Sequence, residues 1–375
     1  MKRVVIFWML CFSGVAVAQE NEVHTMNVQQ AVEYALVNTA DAANARLDIA
    51  AAEKQVDEVL AGGFPQINGT VNYQNYPALP TQLIPAEFFG GQPGEFMEVQ
   101  FGTKHNLSAG VRANQMIYNG SFFVGLKSAD LLRELTRKQL EQTEADVAAN
   151  VTKAYYTALI STENRVLLEE SFNNVTKILN ETRELYRQGF VEQIDVDRLE
   201  LTTSNLGTQL QNLDRQILLT HNVLKFQMGM PLSDSLVLTE DLTDLAEADE
   251  SLLAADFDVL SLPEFRVLQL QTELTDMSIR NIKSMYLPNA NLFANYDLLA
   301  QRDEFNFLDR EENWYNTFLW GVTINIPIFD SFKKSAQVQR EKMNYQKLEN
   351  LQFQLQNGLR LQVLQAKTAY ANALE

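Results

Sequence analysis

One run of sequence constrains the fold more than any other: from Leu126 to Gln188 there is neither glycine nor proline over 63 residues. An unbroken stretch of that kind predicts a single helix, roughly 95 Å long at about 1.5 Å per residue. Helices of globular domains average three to four turns, so this one is a rod. Its apolar residues recur by threes and fours: Val147, Val151, Tyr155 and Ala158, then Leu168, Phe172, Val175 and Leu179. That spacing is a coiled-coil seam. The run stops at Gly189, a residue able to close a helix in the left-handed conformation. A helical pattern resumes from Ile194 to Met228 through Val196, Leu199, Leu206, Leu210, Leu213 and Leu218. The chain is therefore expected to fold back as an antiparallel helical hairpin.

Composition narrows what surrounds this rod. Acidic residues outnumber basic ones 48 to 30, for a net charge of −18, which argues against nucleic acid as a partner, since such binders carry a basic footprint. Lys2 and Arg3 precede an apolar stretch ending in Ala16-Val17-Ala18, the pattern of a secretory signal peptide over residues 1–18. Cys11, the single cysteine of the chain, falls within it, so disulfides and thiolate metal sites are not expected afterwards. Beyond residue 18 no apolar run reaches the roughly 18–20 residues of a membrane-spanning helix. If the chain crosses a membrane, it does so with β-strands.

The sequence also repeats itself. Ile67-Asn68-Gly69-Thr70-Val71-Asn72-Tyr73 follows Pro65, and Ala290-Asn291-Leu292-Phe293-Ala294-Asn295-Tyr296 follows Pro288 at a shift of 223 positions. The segment from Gly110 to Asn119 matches Gly321 to Asp330 at a shift of 211, and Ala154-Tyr155 matches Ala369-Tyr370 at 215. Three blocks in one order indicate a duplication. Each copy reads helix, strand, loop, strand, helix. The expected division is 19–230 for the first copy, 231–262 for a linker and 263–375 for the second.

The strands alternate by face, which is the signature of a sheet with unlike sides. Ile67, Val71 and Tyr73 oppose Asn68, Thr70, Asn72 and Gln74; Ala109, Val111, Ala113 and Ile117 oppose Ser108, Gly110, Arg112 and Asn114. In the second copy Trp320, Val322, Ile324, Ile326 and Ile328 oppose Gly321, Thr323 and Asn325. Strands of 10–12 residues with one Asn-rich and one apolar face fit a water-filled barrel in lipid. Between the strands, residues 76–95 read as Pro- and Gly-rich turns, and the stretch from Arg302 to Glu312 as a solvated charged loop. The nine acids between Pro231 and Leu262, with no Lys or Arg among them, read as a solvated acidic belt.

Sequence patterns for catalysis and cofactors are lacking. His24, His105 and His221 show no metal-ligand spacing. The 10 methionines are scattered. There is no phosphate-binding loop or G-x-S-x-G nucleophile turn. Asp195 and Asp197 sit at a helix start, where carboxylates favour the dipole. No catalytic residue, metal site or cofactor is expected.

Taken together these residues resemble the TolC-like outer-membrane efflux proteins. Met26 to Leu36 resembles the opening helix of that family. Phe64-Pro65-Gln66-Ile67 and Leu287-Pro288-Asn289-Ala290 resemble its helix-to-strand junctions, Ile326-Pro327-Ile328-Phe329-Asp330 its strand-to-helix exit, and Tyr186 to Leu199 its hairpin tip. The resemblance implies an α+β membrane protein, a homotrimer in which each chain gives four transmembrane strands to a shared 12-stranded barrel. Its long antiparallel coiled-coil helices continue as a periplasmic tunnel. It further implies a passive export conduit in the outer membrane, embedded in lipid, reached by an inner-membrane pump through a periplasmic adaptor. On the same ground Arg187, Gly189, Phe190, Val191, Gln193 and Asp195 are expected to contact the adaptor, and Asn68, Asn72, Arg112, Asn114, Asn291 and Asn295 to line the barrel lumen.

One departure stands out. Tyr155 lies 34 positions before Gly189, whereas only five residues follow Tyr370, so the second hairpin lacks its tip. The sequence is expected to be either a fragment or a conduit lacking that hairpin, and no gate residue is assigned. An exit duct for type I protein secretion and a pore-free periplasmic coiled-coil scaffold are the competing functions.

Overall fold

The computed structural model describes residues 23–241, 251–255, 257–309 and 311–374. The signal-peptide reading and the acids Asp244, Glu247, Asp249, Glu250 and Asp256 lie outside them. The chain divides into two units: one of Met1–Arg46, Leu140–Ala255 and Ala373–Glu375, the other of Leu47–Gln139 and Asp256–Asn372.

The elements in order are β1 (Val23–Met26), α1 (Val28–Asn38), α2 (Ala40–Ala61), β2 (Gln66–Asn75), β3 (Thr81–Pro85), β4 (Phe96–Gln100) and β5 (His105–Tyr118). Then come α3 (Gly120–Arg187), α4 (Gln193–Met228), β6 (Ser235–Leu238), α5 (Ser251–Ala254), α6 (Pro263–Ser284), β7 (Asn289–Arg302), β8 (Tyr315–Asn325) and α7 (Lys333–Leu374).

The rod is realised as one 68-residue helix, α3. In the first unit its C-terminal part packs antiparallel on α4. The ion pairs Arg165–Asp214 (2.6 Å) and Arg183–Glu200 (2.8 Å) fix that register. The seam of α3 is as expected, with Val147, Val151, Tyr155, Ala158 and Leu179 buried. The seam of α4 differs at one position. It runs Val196, Leu199, Thr203, Leu206, Leu210, Leu213, Ile217 and Thr220, and Leu218 is 65% exposed. A step of four from Leu213 lands on Ile217, and Leu218 faces away.

Above the hairpin a small core closes the unit. Ala31 and Ala35 of α1 meet Val151, Tyr155 and Ala158 of α3 and Leu224 and Met228 of α4. Helix α1 begins in a capping box, with Gln30 N donating to Asn27 Oδ1 at 2.8 Å and Asn27 N to Gln30 Oε1 at 3.0 Å. The Tyr155 hydroxyl donates to Met26 O at 3.0 Å. Burial pushes its pKa up. Strands β1 and β6 pair in parallel, Val23 with Ser235 through Met26 with Leu238. The segment after Pro231 is thus in part a packed strand: Leu236 and Asp234 are buried, and the Asp234 carboxylate lies 3.7 Å from His24. Pairing with β1 draws these residues out of solvent, which corrects the acidic-belt reading at its start.

The second unit holds a four-stranded sheet in the order β2-β5-β7-β8, antiparallel throughout. Strand β8 stops at Asn325, so Ile326 and Ile328 lie beyond it. Pro327 has no N–H to continue the ladder. Residues 76–95, expected as bare turns, contribute β3 and a 3₁₀ helix, Ala86–Phe89, and β3 pairs with β4 in a hairpin. Arg302 is 7% exposed rather than solvated; its guanidinium donates to Asn313 O at 2.7 Å. In the helical part of this unit Leu135 packs on Val267 and Leu270.

Candidate functional site

Two places in the molecule carry the residues singled out by sequence. In the sheet, the registers put residues of one parity together. Asn68 lies opposite Arg112, and Arg112 opposite Asn295. Asn72 faces Ser108, Asn114 faces Gln66 and Phe293, and Asn291 faces Met116 and Thr323. All six named positions therefore share one face, because directly paired residues point the same way. Arg112 is held there by its neighbour, with Nε donating to Asn295 Oδ1 at 3.1 Å.

The opposite face is apolar. It carries Ile67, Val71, Val111, Leu292, Tyr296, Phe318, Trp320, Val322 and Ile324, all exposed. Val71 at 73% and Trp320 at 66% measure how little covers them. A contiguous exposed apolar surface of this kind marks contact with another protein or with lipid. The sheet also has two open edges, since β2 and β8 each pair on one side only among the described residues. Four strands cannot close on themselves; the smallest membrane barrels need about eight.

Sequence reasoning missed one member of the polar face. Asp297 pairs with Gly110 on β5 and Thr317 on β8. A Cβ at Gly110 would collide with Asp297 Oδ1, so the carboxylate rests over the glycine. The alternation Asn291, Phe293, Asn295, Asp297 contains the signal, but its meaning depends on the register with β5.

The second place is the turn between α3 and α4. Gly189 has φ +81°. Its N–H donates to Tyr186 O at 2.9 Å and that of Phe190 to Leu185 O at 3.0 Å, the paired bonds of a Schellman cap. Glu192 then caps α4 through a box with Asp195. Arg187 reaches back to Glu184 at 2.6 Å, and Gln193 donates to Asp197 at 2.7 Å. Val191 is half-buried, whereas Phe190 is 73% exposed at the apex, flanked by exposed Tyr186 and Ile194. Arg187, Gly189, Gln193 and Asp195 thus have a local part in holding the turn, as does the backbone N–H of Phe190, whose aromatic ring extends outward.

The family model described as outer membrane efflux protein matches residues 31–229. The toluene efflux pump outer membrane protein TtgC of Pseudomonas putida is 23% identical over 333 residues, 85% of this chain and 63% of the relative. The chain thus spans a little under two thirds of the length of that relative. Among solved structures, the transmembrane channel protein CusC superposes with a TM-score of 0.69 at 15% identity, over 89% of this chain and 73% of the other. The Campylobacter jejuni outer membrane channel CmeC gives a TM-score of 0.64 at 15% identity, over 92% and 70%. At these identities the superpositions establish a shared fold.

Proposed function

The chain belongs to the outer membrane efflux protein family, and from that premise we propose that it is one subunit of a trimeric export channel. It is accordingly an outer-membrane protein. In the proposed assembly three copies contribute their β2, β5, β7 and β8 to a closed 12-stranded barrel. The open edges of one sheet then meet those of the next, and every ladder hydrogen bond is satisfied in lipid. The apolar face turns to lipid, and the face bearing Asn68, Asn72, Arg112, Asn114, Asn291 and Asn295 turns to the lumen. The two-copy order of helix, strand, strand and helix is read as an internal duplication.

The observation that carries this reading is the sheet with one asparagine-rich and one exposed apolar side and, among the described residues, no partner for either edge. Helix α3, at 68 residues, supplies the length for a conduit through the periplasm. We place the adaptor contact at the tip, with Arg187, Gly189, Phe190, Val191, Gln193 and Asp195, and the energy source in an inner-membrane pump reached through that adaptor. The channel itself performs no chemistry. The naming of a relative as part of a toluene efflux pump supports small organic molecules as cargo.

The test is to express the full chain, fractionate the envelope, and follow both oligomeric state and retention of a fluorescent efflux substrate. The expected result is an outer-membrane trimer that lowers substrate retention when the adaptor and pump are present. Recovery in periplasmic washes as a soluble monomer would sink the reading.

A further inference from the structure

The polar face of the sheet is almost uncharged. Taking the paired registers row by row, the side chains on that face are Asn, Gln, Ser, Thr and a few apolar residues. On that face, among the described residues of the four strands, only Arg112 and Asp297 carry charge; Arg302 of β7 stands on the opposite face. They occupy successive rows: Asn68, Arg112, Asn295 and Leu319 form one, and Thr70, Gly110, Asp297 and Thr317 the next. Rows of like facing are separated by two residues, roughly 7 Å.

Both charges are positioned. Arg112 is tied through Nε to Asn295. Asp297 lies across the bare backbone of Gly110, where any side chain would collide with it. A glycine in the middle of a 14-residue strand forgoes side-chain packing; here its consequence is room for the carboxylate. Phe293, one row beyond Asn295 on the same strand, lies over Gly321 in the same manner.

We infer that Arg112 and Asp297 are the specificity-determining pair of the barrel lumen, forming two adjacent levels of opposite charge in an otherwise neutral passage. The inference rests on the channel reading given above. Rings of charged side chains set selectivity in pores, and lumen residues tune it in barrels. Here the two rings cancel in sum. The passage therefore has no net preference for anions or cations, but it presents a steep local field along its axis. Zwitterionic or dipolar cargo is oriented by such a field, whereas a single ring would reject one sign.

Thiol probes read that field directly. In a C11S background, N68C places a thiol beside Arg112 and T317C places one beside Asp297, with both charges kept. T323C serves as a same-face reference and V322C as an opposite-face control. Each variant, assembled in outer-membrane vesicles, is reacted with cationic and anionic methanethiosulfonates. The expected ratio of anionic to cationic rate, relative to T323C, is raised at least about twofold at N68C and lowered at least about twofold at T317C, since a unit charge at 5–7 Å in water changes local concentration by that order. Adding R112Q to N68C, or D297N to T317C, is expected to return the ratio to the reference. Equal ratios at all three polar-face positions overturn the inference and leave the channel reading intact. Reaction at V322C with none at T323C overturns the assignment of faces, and with it both readings.

Discussion

Gly189 and Gly229 close the two helices of the hairpin with the same backbone conformation, φ +81° and +69°, in different surroundings. At Gly189 a Cβ would meet nothing within 4 Å, whereas at Gly229 it would lie 2.7 Å from Asn38 O and 3.1 Å from Thr39 Cα. Both substitutions by alanine carry the cost of a left-handed side chain, about 1–2 kcal/mol. Only Gly229→Ala adds a backbone collision at the junction of α1 and α2. The expected outcome is a loss of roughly 1 kcal/mol for Gly189→Ala and at least about twice that for Gly229→Ala, given the added collision. Thermal unfolding followed by circular dichroism compares them. Both glycines can be picked out in sequence as residues ending a periodic run. The difference between them cannot, because Asn38 is brought beside Gly229 by the packing of α1 on α4.

The hairpin formed by α3 and α4 is built from knobs and holes, and one of its holes is a glycine. Phe172 of α3 is half-buried, and its ring would touch a Cβ on Gly207 of α4 at 3.4 Å. Truncating the knob with Phe172→Ala is expected to cost about 1–2 kcal/mol, less than a fully buried phenylalanine. Filling the hole with Gly207→Leu should cost about 1–3 kcal/mol by overpacking. The two together are expected to recover most of the loss, because the new leucine occupies the space the ring leaves; a double-mutant cycle on the helical melting transition measures this. Strictly additive losses would show that the two residues do not share a space. The length of α3 was legible from the absence of breakers, and its seam from apolar spacing. The seam of α4 was partly hidden, since Thr203, Gly207 and Thr220 lie on it and adjacent Ile217 and Leu218 offer two choices of face. Strands β1, β3, β4 and β6 have only four or five residues each, too few for alternation to separate them from loop. The asparagine face could be read from period two alone, whereas Asp297 required knowing which residue of β5 it meets.

At the scale of the whole molecule, Val322 and Thr323 are neighbours on β8 that stand on opposite faces of the sheet. Val322→Arg puts a charge on the apolar side, which in a barrel costs about 2–4 kcal/mol at mid-membrane depth. Thr323→Arg puts the same charge on the polar side, where it stays hydrated. The former is expected to abolish the proposed trimer, read by cross-linking of outer-membrane fractions, and the latter to preserve it; equal behaviour of the two would contradict the orientation proposed. The short parallel pair β1–β6 has a different consequence. Val28 N donates to Glu240 across a separation of 212 positions, and the whole of α3 and α4 lies between. A clasp between such distant parts must bear the entropy of closing that loop, and it cannot form until both long helices have been synthesised. Because Glu240 comes after both helices in the chain, the N-terminal segment gains this anchor only once the hairpin has been made in full.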